Sequence, residues 1–245
     1  MEQYRDYVTG KKQLLSSSNA KLGKDDSVLI YGLSLLPHTM GGGANLCPHA
    51  SEACKAVCLV YSGNARFTKV NMARERKTRF YLDKRSIFNT VLKAELSRVN
   101  ALGILGERVA VRLNVFSDVP WEKQINMGEF RNVQFYDYTK NPIRMKKYLK
   151  GQMPNNYHLT FSYSGDNLEE CYDVLEKNGN VTIVFKLKKG QSLPKTWNGY
   201  RVIDGDVSDY RPDDAEGVVV GLKYKQPVAN KQDTKDIREQ FYIEL

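Results

Sequence analysis

The chain has 245 residues, of which 41% are hydrophobic and 27% are charged, and its formal net charge is +9. This length and composition suit a globular protein with a sizeable core, and they exclude a collagen-like or largely disordered chain. The excess of Lys and Arg favours an anionic partner, with nucleic acid as the first candidate, or else a solvated basic surface.

The amino terminus, MEQYRDYVTGKKQLL, lacks the apolar segment of a secretory signal. The most apolar run, Ser27 to Leu36, is too short to span a bilayer. We therefore expect a cytoplasmic protein without a membrane partner. In a reducing compartment, clustered cysteines are more often metal ligands or redox groups than structural disulfides.

The chain divides into three parts by composition. Residues 1–26 are polar and predict an N-terminal arm, whereas residues 27–225 carry the pattern of a single α/β domain, with a cysteine-rich loop at 41–63. Residues 226–245 form a polar C-terminal segment and tail. The core is therefore expected between residues 27 and 225.

Within this domain, apolar runs that predict strands alternate with helical patterns. A long helical stretch is predicted from about Ala65 to Leu102, as two helices broken near Asp83, and two shorter helices over PIRMKKYLKG and NLEECYDVLEKNG. Seven strands are predicted, at Ser27–Leu36, Arg108–Phe116, Asn132–Thr139, Tyr157–Ser164, Asn180–Leu187, Tyr200–Asp206 and Glu216–Lys225.

This alternation indicates βαβ units and a mostly parallel sheet. Seven strands are one too few for a complete eightfold barrel, so we expect a partial or open (β/α) barrel, with a doubly wound open sheet as the alternative. In either fold, ligands bind at the carboxyl ends of the strands. Polar segments follow most of the predicted strands, so their side chains are expected to share one rim.

Three of the four cysteines, Cys47, Cys54 and Cys58, lie within twelve consecutive residues. Cys54 and Cys58 are one helical turn apart, and Pro48 allows Cys47 to turn back toward them. Three thiolates at one point repel each other unless a cation compensates them, so the spacing C-x6-C-x3-C indicates a metal centre.

The metal is either an iron–sulfur cluster or zinc, with plain buried or redox thiols as the alternative without metal. A [4Fe-4S] cluster on three cysteines would leave one iron open, whereas zinc normally takes four ligands. His38, His49 or Cys171 could supply a fourth ligand, although a lone Cys in an amphipathic helix is more often a core residue. The chain predicts no particular oligomeric state.

Gly41, Gly42 and Gly43 precede the cysteines directly. Without Cβ atoms they could bring backbone N–H groups close to an anionic cofactor, or they could form a simple hinge. Arg112 is predicted to face inward, where it needs an anion such as Asp137, a cofactor or a phosphate. These four residues are the predicted cofactor-binding set.

A polar group at the ends of the predicted strands is expected to face the metal: Asn114, Asp118, Tyr136 and Asp137. Together with Glu122, Asp166, Asp204, Asp206 and Asp209, the aspartates could instead bind Mg²⁺ for nuclease chemistry. Each carboxylate could also simply cap a helix or a turn.

The stretch from Asn64 to Arg85 interleaves Lys and Arg with Phe67, Phe80 and Tyr81. Cations and aromatic rings in this pattern suit a nucleic-acid backbone and its bases. An amphipathic helix with a solvated basic face accounts for the same pattern. The nucleic-acid partner therefore stays an alternative.

Five segments resemble a family found mainly in bacteriophages: YGLSLLPH…LCPHASEACKAVCL, RLNVFSDVPWE, VQFYDYTKNP, LTFSYSGDN and VIDGDVSDYRPDD. The resemblance implies a phage protein that acts in the cytoplasm of the host bacterium. The three cysteines after a first strand are also similar to those of radical-SAM enzymes, which implies S-adenosylmethionine as a cofactor. Those enzymes carry C-x3-C-x2-C, from which this spacing departs.

The leading expectation is a phage-encoded [4Fe-4S] protein with one open iron and radical-SAM-like chemistry if it is an enzyme. The alternatives are a nucleic-acid-binding accessory protein with a structural zinc and an Asp-dependent Mg²⁺ nuclease.

Overall fold

The computed structural model describes residues 2–17, 27–62, 67–225 and 235–245. The strands are β1 (Leu15–Ser16), β2 (Leu29–Leu33), β3 (Val109–Arg112), β4 (Val133–Thr139), β5 (Tyr157–Ser162), β6 (Val181–Lys186), β7 (Thr196–Trp197), β8 (Tyr200–Asp204), β9 (Val219–Lys223) and β10 (Ile243–Glu244). The α-helices are α1 (Arg5–Val8), α2 (Glu52–Ala56), α3 (Thr68–Asp83), α4 (Arg85–Ile104), α5 (Pro142–Leu149), α6 (Leu168–Glu176) and α7 (Lys235–Glu239). Short 3-10 helices lie at Glu2–Tyr4, Leu59–Tyr61, Trp121–Lys123 and Met127–Glu129.

The strands form one ten-stranded, mostly parallel sheet in the order β1-β2-β3-β4-β5-β6-β9-β8-β7. The two end strands, β1 and β7, pair antiparallel with their neighbours, and β10 pairs in parallel with the last two residues of β6. The predicted mostly parallel α/β sheet is confirmed. In the part of the chain that the structure describes, the sheet is not closed into a barrel, because β1 and β7 stand at opposite ends of it.

The five strands from β2 to β6 are spatial neighbours in chain order. A doubly wound sheet would instead reverse its strand order and carry helices on both faces. Here α3, α4, α5 and α6 all contribute side chains to one core, with alternate strand residues such as Val109, Val111 and Leu113. The opposite face carries the intervening residues, among them Arg112 and Asn114, which places polar side chains along it.

The predicted helical elements agree with the structure. The long helical stretch divides at Lys84, one residue after the predicted break, although its predicted beginning at Ala65 lies outside the described residues. Helix α5 begins where its sequence predicts, because Pro142 occupies the first turn and the Asn141 side chain accepts hydrogen bonds from the N–H groups of Ile143 and Arg144.

Residues 2–17, part of the predicted N-terminal arm, contribute side chains to the core. Tyr4 and Tyr7 stack on Phe80 of α3, with ring centroids 4.6 and 5.7 Å apart. Leu14 and Leu15 are buried, and their N–H groups donate to the buried Glu95 carboxylate, at 2.8 Å each. A few apolar residues spaced through a polar segment suffice to anchor it. The rest of the predicted arm, residues 18–26, lies outside the described residues.

The C-terminal segment also joins the domain. Strand β10 extends the sheet, and Tyr242 is buried against Tyr224, with ring centroids 4.6 Å apart. Residues 226–234 lie outside the described residues. The predicted boundary at residue 225 therefore does not separate the final strand from the core.

Candidate cysteine site

The cysteine loop follows β2 at the carboxyl end of the sheet. Helix α2 begins after Ser51, whose hydroxyl accepts a hydrogen bond from the Cys54 N–H at 3.0 Å and donates to the Ser164 carbonyl in the loop after β5. The N-cap therefore also ties the loop to the sheet. Cys54 lies on α2, Cys58 follows it, and Cys47 precedes it. Gly63, at the end of the predicted loop, lies outside the described residues.

All three cysteines line one cavity of about 200 Å³. The lining also includes residues at the carboxyl ends of parallel strands: Arg112 of β3, Tyr138 of β4, Ser162 of β5 and Lys223 of β9. The structure thus brings Cys47, Cys54 and Cys58 to the end of the sheet where parallel α/β proteins bind their ligands.

Burial disfavours the ionisation of two thiols of this cavity. It raises the pKa of Cys47 to about 11 and that of Cys58 to about 12, and the charge of Cys54 adds to both shifts. Reactive nucleophilic cysteines have the opposite character, since their pKa values are lowered. Cys47 and Cys58 therefore lack the character of reactive nucleophiles.

Lys140 lines the same cavity, and its pKa responds to the charges of these thiols. Burial by itself would lower its pKa, but Cys54, Asp118, Cys47 and Cys58 together raise it. Among the described residues, no acidic side chain lies within ion-pair distance of its ammonium. No salt bridge with these residues therefore neutralises its positive charge, which stays available inside the cavity.

Two of the four predicted catalytic residues, Asn114 and Asp118, line the cavity. Asp118 accepts hydrogen bonds from Thr139 Oγ1 and the Lys140 N–H, both at 2.9 Å. It also pairs with Arg144 at 2.5 Å, and the same guanidinium pairs with Glu122 at 2.9 Å. Asp118 does not cap a helix, and its charge is already neutralised inside the protein.

The other two, Tyr136 and Asp137, are buried away from the cavity lining. Asp137 accepts hydrogen bonds from the Asn114 N–H at 2.7 Å and the Tyr157 hydroxyl at 2.9 Å. Burial raises the pKa of Asp137 to about 7, although Arg112 and these donors oppose the shift. This carboxyl of β4 therefore bonds both to the segment after β3 and to the first residue of β5.

Arg112 lines the cavity, and its partner is Asp209 rather than the expected Asp137. Its Nη1 lies 2.8 and 3.0 Å from the two Asp209 carboxylate oxygens, and its guanidinium stacks over the Tyr138 ring at 4.6 Å. Asp209 also accepts a hydrogen bond from the Tyr136 hydroxyl at 3.2 Å. An internal ion pair therefore accounts for the inward-facing Arg112.

The glycine triplet lies apart from the cavity lining. A Cβ on Gly41 would come within 2.4 Å of Thr78 Cγ2, so this glycine permits close packing of the loop on α3. Gly42 and Gly43 have φ values of 68° and 124°, which L side chains rarely adopt. The triplet shapes the loop that presents the cysteines.

The three candidates for a fourth metal ligand differ in burial and in whether they line the cavity. Cys171 is 0% exposed within the main core, and burial raises the pKa of its thiol to about 12. His49 does not line the cavity, whereas His38 does, and its Nε2 is buried without a hydrogen-bond partner. Burial lowers the pKa of His38, which favours the neutral imidazole that binds metals.

No group of three or more His, Cys, Asp or Glu side chains in the described ranges is arranged to hold a single metal ion. The other carboxylates of the predicted nuclease set are occupied as well. Asp204 pairs with Lys223 at 3.3 Å, Asp206 pairs with Lys225 at 3.1 Å, and Asp166 accepts a hydrogen bond from Ser164 at 2.7 Å. A preformed magnesium site is therefore not favoured.

The basic stretch is partly structural. Phe80 and Tyr81 are buried in the core and are therefore unavailable to stack on bases, whereas Phe67 is 53% exposed. Arg74 packs over the Phe116 ring at 4.3 Å, and Lys77 donates to the Leu14 carbonyl. The beginning of the stretch, residues 64–66, lies outside the described residues.

Thr182 and Phe241 are among the residues of the cavity wall that sequence reasoning missed. Thr182 pairs with Ser162, so its alternation with Val181 and Ile183 carried a signal once the strand register was known. Phe241 comes from beyond the predicted domain, and nothing in its local sequence indicated this contact.

The fold and the site define an α/β protein with an open, mostly parallel sheet and a cysteine-lined cavity at the carboxyl ends of its strands. The family model described as Gene product 88 matches residues 13–240, and the chain belongs to this family, which is of phage type. No curated protein and no solved structure matches the chain. Within the described residues, no helix has both the length and the apolar character that crossing a membrane requires.

Proposed function

We propose that this protein binds an iron–sulfur cluster of the [4Fe-4S] type through Cys47, Cys54 and Cys58. The observation that carries the proposal is that all three thiols line one cavity at the carboxyl ends of the parallel strands. The fourth cysteine, Cys171, lies in the core and takes no part.

A cluster and a single zinc ion differ in the number of ligands that they require. Zinc normally takes four ligands, whereas a [4Fe-4S] cluster on three cysteines would keep one iron open. Three cysteines line the cavity and the fourth lies in the core, so the number of available thiols is the argument for the cluster.

The surroundings also suit an anionic cluster bound by thiolates. Burial disfavours the thiolate forms of Cys47 and Cys58, so thiolates at this place require a compensating cation, which the iron of a cluster would supply. Lys140, without an ion-pair partner among the described residues, would offset the negative charge that the thiolates bring. Buried cations and hydrogen-bond donors around a cluster also set its reduction potential.

Three protein ligands would leave one iron of the cluster open to a substrate or to a chelating cofactor. S-adenosylmethionine is the candidate cofactor, and the class of reaction would then be radical-SAM-like. The chain's own residues would surround the reaction, because the strand ends, α2 and Phe241 all line the cavity.

The proposal is tested by anaerobic purification with an absorbance spectrum and analysis of iron, sulfide and zinc. We expect a brown protein that contains iron and sulfide. The triple variant Cys47→Ala, Cys54→Ala, Cys58→Ala should lose both, whereas the matched control Cys171→Ala should keep them. A colourless wild-type protein with stoichiometric zinc or with no metal would overturn the proposal and favour the nucleic-acid-binding alternative.

A further inference from the structure

The cavity wall contains an unusual set of buried polar atoms. His38 Nε2, Arg112 Nε, Tyr138 Oη and Thr182 Oγ1 are buried without a hydrogen-bond partner, and all four residues line the cavity. Thr182 is only 5% exposed. Leaving such a group unpaired is destabilising, so an accumulation at one place requires a physical reason.

The charge of the lining points to the kind of ligand. Five of the charged residues that line the cavity are Lys or Arg, and two are Asp. Arg112 pairs with Asp209, Lys225 pairs with Asp206, and Asp118 pairs with Arg144. Lys140 stays without an ion pair among the described residues, so the cavity retains a cation for an incoming anion.

The remaining wall is apolar and aromatic. Phe116, Tyr163, Tyr224, Phe241 and Leu222 line the cavity beside the polar groups. The volume of about 200 Å³ is many times the roughly 10–15 Å³ that one water molecule needs. The space therefore suits a small organic molecule, with polar groups on one side and an apolar body on the other.

We propose that this cavity binds a small organic anion, whose carboxylate or phosphate pairs with Lys140 and whose body packs on the aromatic wall. The hydroxyls of Tyr138 and Thr182 provide hydrogen bonds that the protein itself leaves unused. The anion would be the class of substrate on which the cluster acts, and in that respect this inference rests on the proposed function. The binding step itself requires only the cavity and Lys140.

The test measures binding of three small probes to the metal-free protein by ligand-observed NMR. Benzoate and phenyl phosphate carry the two anionic groups, and benzyl alcohol is the neutral probe of similar size. We expect the better of the two anions to bind about tenfold more tightly than benzyl alcohol, because a charged hydrogen bond is added. The anion that binds better identifies the headgroup.

Three variants test which side chains account for the tighter binding of the anion. Lys140→Gln should weaken the anion about tenfold and leave benzyl alcohol unchanged, and Thr182→Val, which removes one hydroxyl at nearly constant volume, should weaken it about threefold. Lys93→Gln removes an equally charged but exposed lysine on α4 and should change neither affinity. Circular dichroism and thermal melting confirm that each variant is folded.

Equal affinities for the anions and the alcohol, or anion binding that Lys140→Gln does not change, would overturn the inference. The outcome is separable from that of the proposed function, because the probes are also measured with the triple cysteine variant. Anion binding by a protein that never takes up iron would overturn the cluster and keep the anion site. Iron and sulfide without anion binding would do the reverse.

Discussion

Two polar regions lie side by side at the carboxyl ends of the strands, and they differ in how completely their groups are paired. In the first, which we call the Arg144 network, Arg144 bonds to Asp118, Glu122 and Tyr157, and Tyr157 bonds to Asp137. In the second, the cysteine cavity, the lining includes three free thiols, a lysine without an ion pair among the described residues, and four residues with an unpaired buried polar atom.

The difference separates structural groups from groups available to a ligand. A buried network in which each charge has its partner fixes the positions of strands and loops but offers little to a ligand. Polar groups left without partners beside a cavity are stabilised only when something enters it. The aspartates that the sequence singles out belong mostly to the paired region, and the cysteines belong to the unpaired one.

The largest loss of stability is expected when the guanidinium of the Arg144 network is removed. Arg144→Met would leave Asp118 and Glu122 buried without their cation, which should lower the free energy of unfolding by about 3–5 kcal/mol. Urea denaturation measures the change. Lys147→Met, on an exposed position of the same helix, should cost less than about 0.5 kcal/mol. Similar losses of stability in the two variants would show that the broken ion pairs of Arg144 do not cause the loss.

A smaller loss of stability is expected from changing Asp209, whose partner Arg112 lines the cavity. Asp209→Asn keeps the shape of the side chain but removes the charge that holds Arg112, which should cost about 2 kcal/mol. The control is Asp213→Asn, which weakens an exposed pair with Arg108 and should cost at most about 1 kcal/mol. If both variants melt at the temperature of wild type, Asp209 does not anchor the cavity wall.

A pH dependence distinguishes the paired carboxyls further. The pKa of Asp137 is raised to about 7 in the folded protein and is about 3.9 in the unfolded chain, so the unfolded chain binds fewer protons between these values. The contribution of Asp137 to stability is therefore complete below about pH 4 and is lost as the pH rises toward 7.

The measurement is the free energy of unfolding of wild type minus that of Asp137→Asn, from pH 4 to 8. This difference should fall by about 1–3 kcal/mol up to pH 7 and then level off. Other carboxyls with raised pKa values, such as Asp214, cancel because both proteins contain them. A difference that stays constant with pH would contradict the raised pKa of Asp137.

The smallest effect is expected in the cavity itself. Lys140→Met removes a buried cation without an ion pair, so the stability of the metal-free protein should stay within about 0.5 kcal/mol of wild type or rise. Thermal melting of the two metal-free proteins measures this. A loss as large as that of Arg144→Met would mean that Lys140 belongs to the paired region.

The sequence predicts the sheet and the cysteine loop well because both depend on local patterns. Alternation of apolar residues locates β4 and β6 to within a residue or two, and Pro142 and Asn141 define the beginning of α5. Partners distant in the chain were beyond this reasoning. Asp137 was one of the anions expected beside Arg112, but the fold brings Asp209 to it instead. The stacking of Tyr4 and Tyr7 on Phe80 likewise joins residues that are distant in the chain.

The most direct test of the cluster is electron paramagnetic resonance of the anaerobically purified protein after reduction with dithionite. The account predicts an iron–sulfur signal in wild type and in Cys171→Ala, and its absence when Cys47, Cys54 and Cys58 are replaced by Ala. A wild-type protein that gives no such signal under these conditions and contains no sulfide would contradict the central claim that the unpaired cavity is a cluster site.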